Sequence, residues 1–183
     1  MDEDVRALAR MADGDDRAAA ELVDRLGPRL MAFVLRMTGG DRTAAEDIVQ
    51  EAFLRLWTKA ADWDPGGAAK VFTWLGRVAA NLAVDRARRT RREAPLDDAV
   101  DPPDPAPGVL DGIIAGERRT ALDAALAALP ERQRQAVVLR HVEGYSNPDI
   151  AAMMGCGVEA VESLTARGKR ALAKTLRVSE ETR

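Results

Sequence analysis

The sequence predicts an all-α protein of two small helical domains joined by a flexible acidic linker. Aromatic residues make up only 4% of the 183 residues, apolar residues recur at spacings of three and four, and alternating runs of β-branched residues are absent. These observations exclude a β-sandwich or β-barrel. The length suits one medium domain or two small ones.

Charge divides the chain into two nearly neutral halves around an acidic strip. Residues 1–92 carry a net charge of +1, residues 93–112 carry −6 and residues 113–183 carry +2, which together give −3. The strip also holds five of the nine prolines. Because proline restricts the backbone and the carboxylates repel one another, we expect an extended linker there, either inert or functional.

The first domain, 1–92, is predicted to begin its helices at residue 15. Apolar spacing indicates a helix over 15–38 with a bend at Gly27-Pro28. Thr43 and Glu46 fit a capping box that opens a second helix over about 44–60. The residues expected on its buried face are Val49, Ala52, Phe53, Leu56 and Trp57. Its opposite face carries Asp47, Gln50, Glu51 and Arg55, a pattern that by itself is typical of solvated surface.

A third helix, over about 70–91, combines a buried stripe with a cationic face. Arg77, Asn81, Arg88 and Arg92 share the exposed face, and the helix ends in five arginines within seven residues. Arginine and asparagine are suited to phosphates and base edges, so this face favours nucleic-acid binding over simple solvation. Trp63, beside the preceding Pro/Gly loop, could belong to the core or stack on a base.

The second domain, 113–183, contains a helix-turn-helix pattern. Helices are predicted over about 113–128, from Pro130 to about 143, over 147–154 behind an N-capping Ser146, and over 158–177. The glycine-containing turn 155–157 would place the start of the last helix in a DNA major groove. Five residues there are predicted to face outward: Glu159, Ala160, Glu162, Ser163 and Thr165. Three later residues would meet phosphates: Arg167, Lys169 and Arg170.

The two glutamates in that set can be interpreted in two ways. Glu159 and Glu162 could accept hydrogen bonds from cytosine amino groups, or they could simply complement the positive start of the helix dipole.

The residue inventory also excludes several functions. The chain has one cysteine, Cys156, and one histidine, His141. These two residues cannot form a disulfide framework or a zinc site, and they cannot supply a Ser/His/Asp or Cys/His catalytic group. No apolar run is long enough for a membrane helix, and the acidic N-terminus is not a secretory signal. A single thiol suits a reducing cytoplasm. We expect no metal, no cofactor and no small-molecule substrate.

Three segments together resemble a bacterial extracytoplasmic-function (ECF) sigma factor of the sigma-70 family. These are AAEDIVQEAFLRLW (44–57), FTWLGRVAANLAVDRARR (72–89) and ALAALPERQRQAVVLRHVEGYSNPDIAAMMGCGVEAVESLTARGKRAL (125–172). Their order and spacing match over residues 15–177. Gly157 stands where the family usually has a Ser or Thr cap, and glycine is an acceptable cap, so the helix start is retained. Glu159 and Glu162 stand where the family usually has small or basic residues, so the resemblance carries over the helix but not the family's individual promoter contacts at these two positions.

The resemblance implies a function for each domain and identifies the residues expected to perform it. The domains become sigma region 2 and sigma region 4, and the polar face with Asp47, Gln50, Glu51 and Arg55 becomes a site for core RNA polymerase. Minus-ten promoter DNA would contact Arg77, Asn81, Arg88 and Arg89, with Trp63 and Lys70 at a loop that captures a flipped base. The last helix would read the minus-thirty-five element. The resemblance further implies a role in a stress response that an anti-sigma factor controls.

Two other functions compete with this interpretation. An autonomous helix-turn-helix regulator would bind duplex DNA without polymerase and would need dimer symmetry. A small helical enzyme would need a constellation of catalytic groups, and no pair of carboxylates is singled out by the sequence.

Overall fold

The computed structural model describes residues 3–64, 70–93 and 115–181, and every regular element within these ranges is helical. The helices are α1 (Glu3–Ala12), α2 (Asp16–Thr38), α3 (Arg42–Lys59), α4 (Val71–Glu93), α5 (Ala115–Ala127), α6 (Glu131–Val137), α7 (Asn147–Met154) and α8 (Val158–Glu181). A 3-10 turn, Ala60–Asp62, follows α3, and a π-helical turn, Val138–Val142, continues α6. The all-α prediction is confirmed. The predicted linker, 93–112, lies almost entirely outside the described residues.

Helix α2 is the centre of the N-terminal half. Its buried residues include Leu22, Leu30 and Phe33, and it packs against α1, α3 and α4. Asp15 caps its start by accepting hydrogen bonds from the amides of Arg17 and Ala18. The helix continues through Pro28, where the sequence had indicated a bend.

Helix α1 was not predicted from the sequence. Val5, Leu8 and Met11 recur every three residues and are buried against α2 and the 3-10 turn. Arg25 of α2 holds the start of α1 through ion pairs with Glu3 at 3.1 Å and Asp4 at 2.8 Å. The described part of the N-terminal half is therefore a bundle of four helices.

Helix α3 is capped by a different residue from the one that the sequence predicted. The cap is Asp41, whose carboxylate accepts a hydrogen bond from the amide of Ala44 at 2.9 Å. Thr43 lies inside the first turn, so the predicted capping box of Thr43 and Glu46 is wrong. An aspartate two residues earlier supplies the same acceptor with a full negative charge at the helix N-terminus.

The C-terminal half is a second helical cluster. Helix α8 packs against α5, α6 and α7, and the buried side chains between them include Leu126, Leu139, Ile150 and Val161. Gly168 of α8 allows α6 to approach closely, because a Cβ at this position would lie 2.6 Å from Cγ2 of Val137.

The two halves pack against each other. Helix α2 contacts α5 and α6, and α4 contacts α7. The buried apolar residues of both halves form one continuous cluster. Arg134 lies at this junction with a buried side chain, and it donates hydrogen bonds to carbonyl oxygens of both halves.

Candidate nucleic-acid interface

Helix α4 separates an apolar face from a cationic one. Val71, Leu75 and Ala79 are completely buried, and a helix that buries this stripe must expose the side chains opposite to it. The exposed residues on that opposite face are Arg77, Asn81, Arg88 and Arg92, and Arg89 is exposed beside them near the end of the helix. We call this set the α4 ridge.

Two arginines of the α4 ridge have carboxylate partners. Arg88 lies 2.8 Å from Asp85, one turn earlier in the same helix, and Arg77 lies 3.4 Å from Asp149 of α7. About half of each arginine side chain stays exposed. Exposed pairs of this kind are weak, at about 0–1 kcal/mol, so a phosphate can replace either carboxylate.

The loop before α4 is partly described. Trp63 is half-buried against the core and meets Trp74 edge-to-face, with ring centroids 6.1 Å apart. Lys70 is exposed immediately before α4. Of the two roles left open for Trp63, packing is the one seen in the structure. The flipped-base loop over 62–70 includes residues outside the described ranges and stays a prediction.

The polar face of α3 is assembled as predicted, but it also carries apolar side chains. Asp47, Gln50 and Arg55 are exposed and Glu51 is half-buried, since α3 turns Ala45, Ile48, Ala52 and Leu56 inward. Arg55 pairs with Glu51 at 2.8 Å, and Asp47 with Arg86 of α4 at 3.5 Å.

Two apolar residues that the sequence did not mark as surface residues also lie on this side of α3. Leu54 is 53% exposed and Trp57 is 52% exposed, so the prediction that Trp57 is buried is wrong. Leu56 fills the inward position, and the next residue along a helix is rotated by about 100° from it. An exposed tryptophan next to an exposed leucine is typical of a protein-binding surface.

The helix-turn-helix of the C-terminal half forms through local capping. Ser146 accepts a hydrogen bond from the amide of Asp149 at 3.3 Å, which starts α7, and Gly155 ends it with φ of +59°. Helix α8 then begins at Val158 after a three-residue turn. The predicted N-cap, turn and second helix are therefore all present.

The first turns of α8 present the predicted reading surface with one correction. Glu159, Glu162 and Ser163 are exposed and Ala160 is half-buried. Thr165 is buried, so its predicted outward position is wrong; it falls on the same side as Val161 and Leu164, which pack inward. Further along the helix, the three phosphate-binding candidates are all exposed: Arg167, Lys169 and Arg170.

The structure bears on the two interpretations of the glutamates. The side-chain amide of Asn147, at the start of α7, donates to Glu162 at 3.4 Å. Glu162 thus has a structural partner within the motif. Glu159 lies in the first turn of α8, where its charge complements the helix dipole.

Among the described residues, no three His, Cys, Asp or Glu side chains converge to hold a metal ion. None of the described helices has the length and apolar character required to cross a bilayer. Cys156, in the turn between α7 and α8, is a half-buried free thiol.

The fold and these surfaces define a class: a helical, two-part nucleic-acid-binding protein with a cationic ridge in one half and a helix-turn-helix in the other. Residues 22–93 match the family model "Sigma-70 region 2", and residues 119–172 match "Sigma-70, region 4". The chain belongs to the ECF sigma factors of the sigma-70 family.

Known relatives match over nearly the whole chain. ECF RNA polymerase sigma factor SigW of Bacillus subtilis is 30% identical over 182 residues, which cover 94% of this chain and 96% of SigW. SigF of Caulobacter vibrioides is 35% identical over 176 residues, 93% and 92% of the two chains. The structure of CnrH in complex with the cytosolic domain of CnrY superposes with a TM-score of 0.55 at 29% identity, over 97% of this chain and 99% of CnrH.

Proposed function

We propose that this chain binds core RNA polymerase, directs it to a two-part promoter and assists in opening the DNA. The observation that carries the proposal is the α4 ridge, an exposed line of arginines and one asparagine on a helix whose other face is fixed in the core. It lies within the region-2 match, while the helix-turn-helix lies within the region-4 match.

The proposal assigns each surface one task. The α4 ridge, with Trp63 and Lys70, contacts the minus-ten element, and its arginines neutralise phosphates. The exposed start of α8 reads the minus-thirty-five element, with Arg167, Lys169 and Arg170 on the backbone of the DNA. The corresponding domains are 1–92 and 113–183, with 93–112 as the linker between them.

The α3 surface binds core polymerase in this proposal. Its members are Asp47, Gln50, Glu51 and Arg55, together with Leu54 and Trp57. A central apolar pair surrounded by charged side chains is the composition of a transient protein interface. An anti-sigma factor would inhibit the chain by covering the same surface, in a cytoplasmic stress response.

The protein needs no catalytic groups for this task, because the phosphodiester chemistry belongs to the polymerase. Its contribution is binding energy: duplex opening costs a few kcal/mol for each unstacked base, and contacts to the opened strand offset that cost. The proposal involves no cofactor and no small-molecule substrate.

The test is run-off transcription with purified core polymerase and a promoter library. We expect promoter-dependent transcripts that Arg88→Ala combined with Arg89→Ala reduces by about tenfold or more, since a hydrogen bond to a charged group such as a phosphate provides about 1.5–3 kcal/mol. Arg17→Ala is the matched control, because Arg17 is an exposed arginine of α2 outside all three surfaces.

Two results would contradict the proposal. One is a chain that binds core polymerase yet uses no promoter in the library. The other is tight, specific binding to duplex DNA in a gel shift without polymerase, which is the behaviour of an autonomous regulator.

A further inference from the structure

A small cavity lies between the last turns of α4 and helix α6. Three arginines line it, Arg88 and Arg91 from α4 and Arg132 from α6, together with Gln135 of α6. We call these four polar residues the arginine cavity. The remaining lining residues are apolar and buried: Val84, Ala87 and Met154.

The arginine cavity concentrates positive charge without carboxylates to balance it. None of its lining residues is an aspartate or a glutamate. Arg88 pairs with Asp85 of its own helix at 2.8 Å, whereas Arg91 and Arg132 form no ion pair within the ranges that the structure describes. Because like charges at one place repel one another, an anion that neutralises these guanidinium groups is favoured there.

Gln135 adds a buried polar group to this site. The residue is only 2% exposed, and its side-chain amide has no hydrogen-bond partner in the described part of the chain. Its neighbour Arg134, by contrast, is also buried and donates to three carbonyl oxygens. Burying an amide without a partner costs free energy. The amide of Gln135 therefore offers two unused N–H donors to whatever enters the cavity.

The size of the cavity indicates which kind of anion it accepts. It offers about 20 Å³, which is room for one or two oxygen atoms of the size of water. A terminal phosphate group can insert one oxygen as far as Gln135 and leave its other oxygens at the mouth, where the three arginines are exposed. Arginine binds phosphate through paired, charge-assisted hydrogen bonds. A phosphodiester within DNA does not project in this way, because a sugar flanks it on each side.

We propose that the arginine cavity binds a small molecule through a terminal phosphate group, as in pyrophosphate or a nucleoside triphosphate. Gln135 donates to the innermost oxygen, Arg91 and Arg132 bind the outer oxygens, and Arg88 adds its charge. The molecule is a ligand and not a substrate, because none of the lining residues is a general base or a nucleophile. Binding requires neither promoter DNA nor polymerase, so its failure would leave the promoter function proposed above untouched.

The first test is isothermal titration calorimetry on the full chain, without DNA, at constant ionic strength. The probes are inorganic phosphate, pyrophosphate and ATP. We expect saturable binding of one pyrophosphate per chain, tighter than that of phosphate because a larger negative charge meets the same arginines. Equal affinities for pyrophosphate and ATP would show that the phosphates alone are recognised, whereas tighter binding of ATP would identify a nucleotide as the ligand. If none of the three probes binds with a single saturable site, the proposal is overturned.

A pair of glutamine variants tests the buried amide without changing the charge. Methionine keeps the unbranched shape of glutamine but cannot donate a hydrogen bond. We expect Gln135→Met to weaken pyrophosphate binding by about tenfold or more, the loss of a hydrogen bond to a charged group. Gln133→Met is the matched control, because Gln133 lies in the same helix but does not line the cavity. Equal affinities of Gln135→Met and the wild type would overturn the proposal.

A pair of arginine variants separates the site from general attraction to positive charge. Arg132→Ala and Arg17→Ala each remove one exposed arginine, but only Arg132 lines the cavity. We expect Arg132→Ala to weaken pyrophosphate binding by about tenfold and Arg17→Ala to leave it nearly unchanged. Equal losses in the two variants would mean that the anion has no defined site, which overturns the proposal.

A nucleic-acid probe distinguishes the cavity from the DNA-binding surfaces. The probe is a single-stranded oligonucleotide without a terminal phosphate. We expect Gln135→Met to leave its affinity unchanged, because a phosphodiester does not reach the buried amide. If this variant weakens the oligonucleotide and pyrophosphate equally, the cavity is part of the nucleic-acid surface and the proposal is wrong.

Discussion

Replacing Gly168 by alanine should destabilise the C-terminal half by pushing α8 away from α6. The added Cβ would lie 2.6 Å from Cγ2 of Val137 and 3.3 Å from the carbonyl oxygen of Gln133. Carbon atoms in contact prefer about 3.5–4.0 Å, so the helices must separate by about 1 Å. Overpacking of this kind costs about 1–3 kcal/mol, and it opposes the gain of about 1 kcal/mol for alanine over glycine in a helix.

Gly76→Ala is the matched control, because it removes a helical glycine with ordinary packing around it. Its Cβ would meet only the Tyr145 hydroxyl, at 3.5 Å. The gain in helix propensity is common to both variants, so the difference in their free energies of unfolding isolates the clash. We expect Gly168→Ala to be less stable than Gly76→Ala by about 1–3 kcal/mol in urea unfolding followed by circular dichroism.

A third variant tests whether Val137 is the residue that the added Cβ contacts. Adding Val137→Ala to Gly168→Ala removes the atom at 2.6 Å, and a double-mutant cycle should give a favourable coupling of about 1 kcal/mol. Equal stabilities for Gly168→Ala and Gly76→Ala would refute the reasoning about α6 and α8.

Three other perturbations address capping, protonation and the polymerase surface. Ser146→Ala should lower the free energy of unfolding by about 1 kcal/mol by removing the cap of α7; unchanged urea unfolding contradicts the assigned cap. Burial in the folded chain raises the pKa of Glu143 above its ordinary value. Between the pKa of the unfolded chain and that of the folded chain, the folded chain therefore binds more protons, and its stability falls as pH rises through this window. Glu143→Gln should remove that part of the pH dependence, and parallel stability–pH curves for the two proteins would be the contrary result. Trp57→Ala should weaken binding to core polymerase by about tenfold or more while leaving unfolding nearly unchanged, since half of this side chain is exposed; equal affinity in a pull-down titration would exclude Trp57 from the interface.

Local rules explain which elements were predictable. Ser146, Pro148 and Gly155 each fix the backbone within one turn of their own position, so the helix-turn-helix was predicted with its cap and its end. The α4 ridge was predictable for the same reason, because helical periodicity alone decides which side of α4 faces out. The family resemblance then supplied the tasks of these surfaces, which periodicity cannot give.

The errors have local physical causes too. Asp41 and Thr43 are both good caps, and the sequence does not decide between two candidates two residues apart. Trp57 was assigned to the core by its apolar character, but Leu56 fills the inward position of that turn. Helix α1 was overlooked because its apolar residues stand among four charged ones in a helix of only ten residues.

Contacts between the halves could not be predicted at all. Arg77 and Asp149 are 72 residues apart, Arg36 and Asp123 are 87 apart, and Arg134 lies 97 residues from Met37. No periodic pattern links positions at such distances. Only the folded arrangement reveals that the arginines of one half face the carboxylates of the other.

The two halves are joined by ion pairs and by hydrogen bonds from Arg134 to carbonyl oxygens, and salt weakens only the ion pairs. The Debye length falls from about 10 Å at 0.1 M to about 3 Å at 1 M ionic strength, which weakens the exposed Arg77–Asp149 pair in particular. The carbonyl groups around Arg134 carry no titrating charge and are shielded from solvent. Concentrated electrolyte should therefore release the edge between α4 and α7 first, while α6 stays attached to the end of α2 and serves as the pivot for separation.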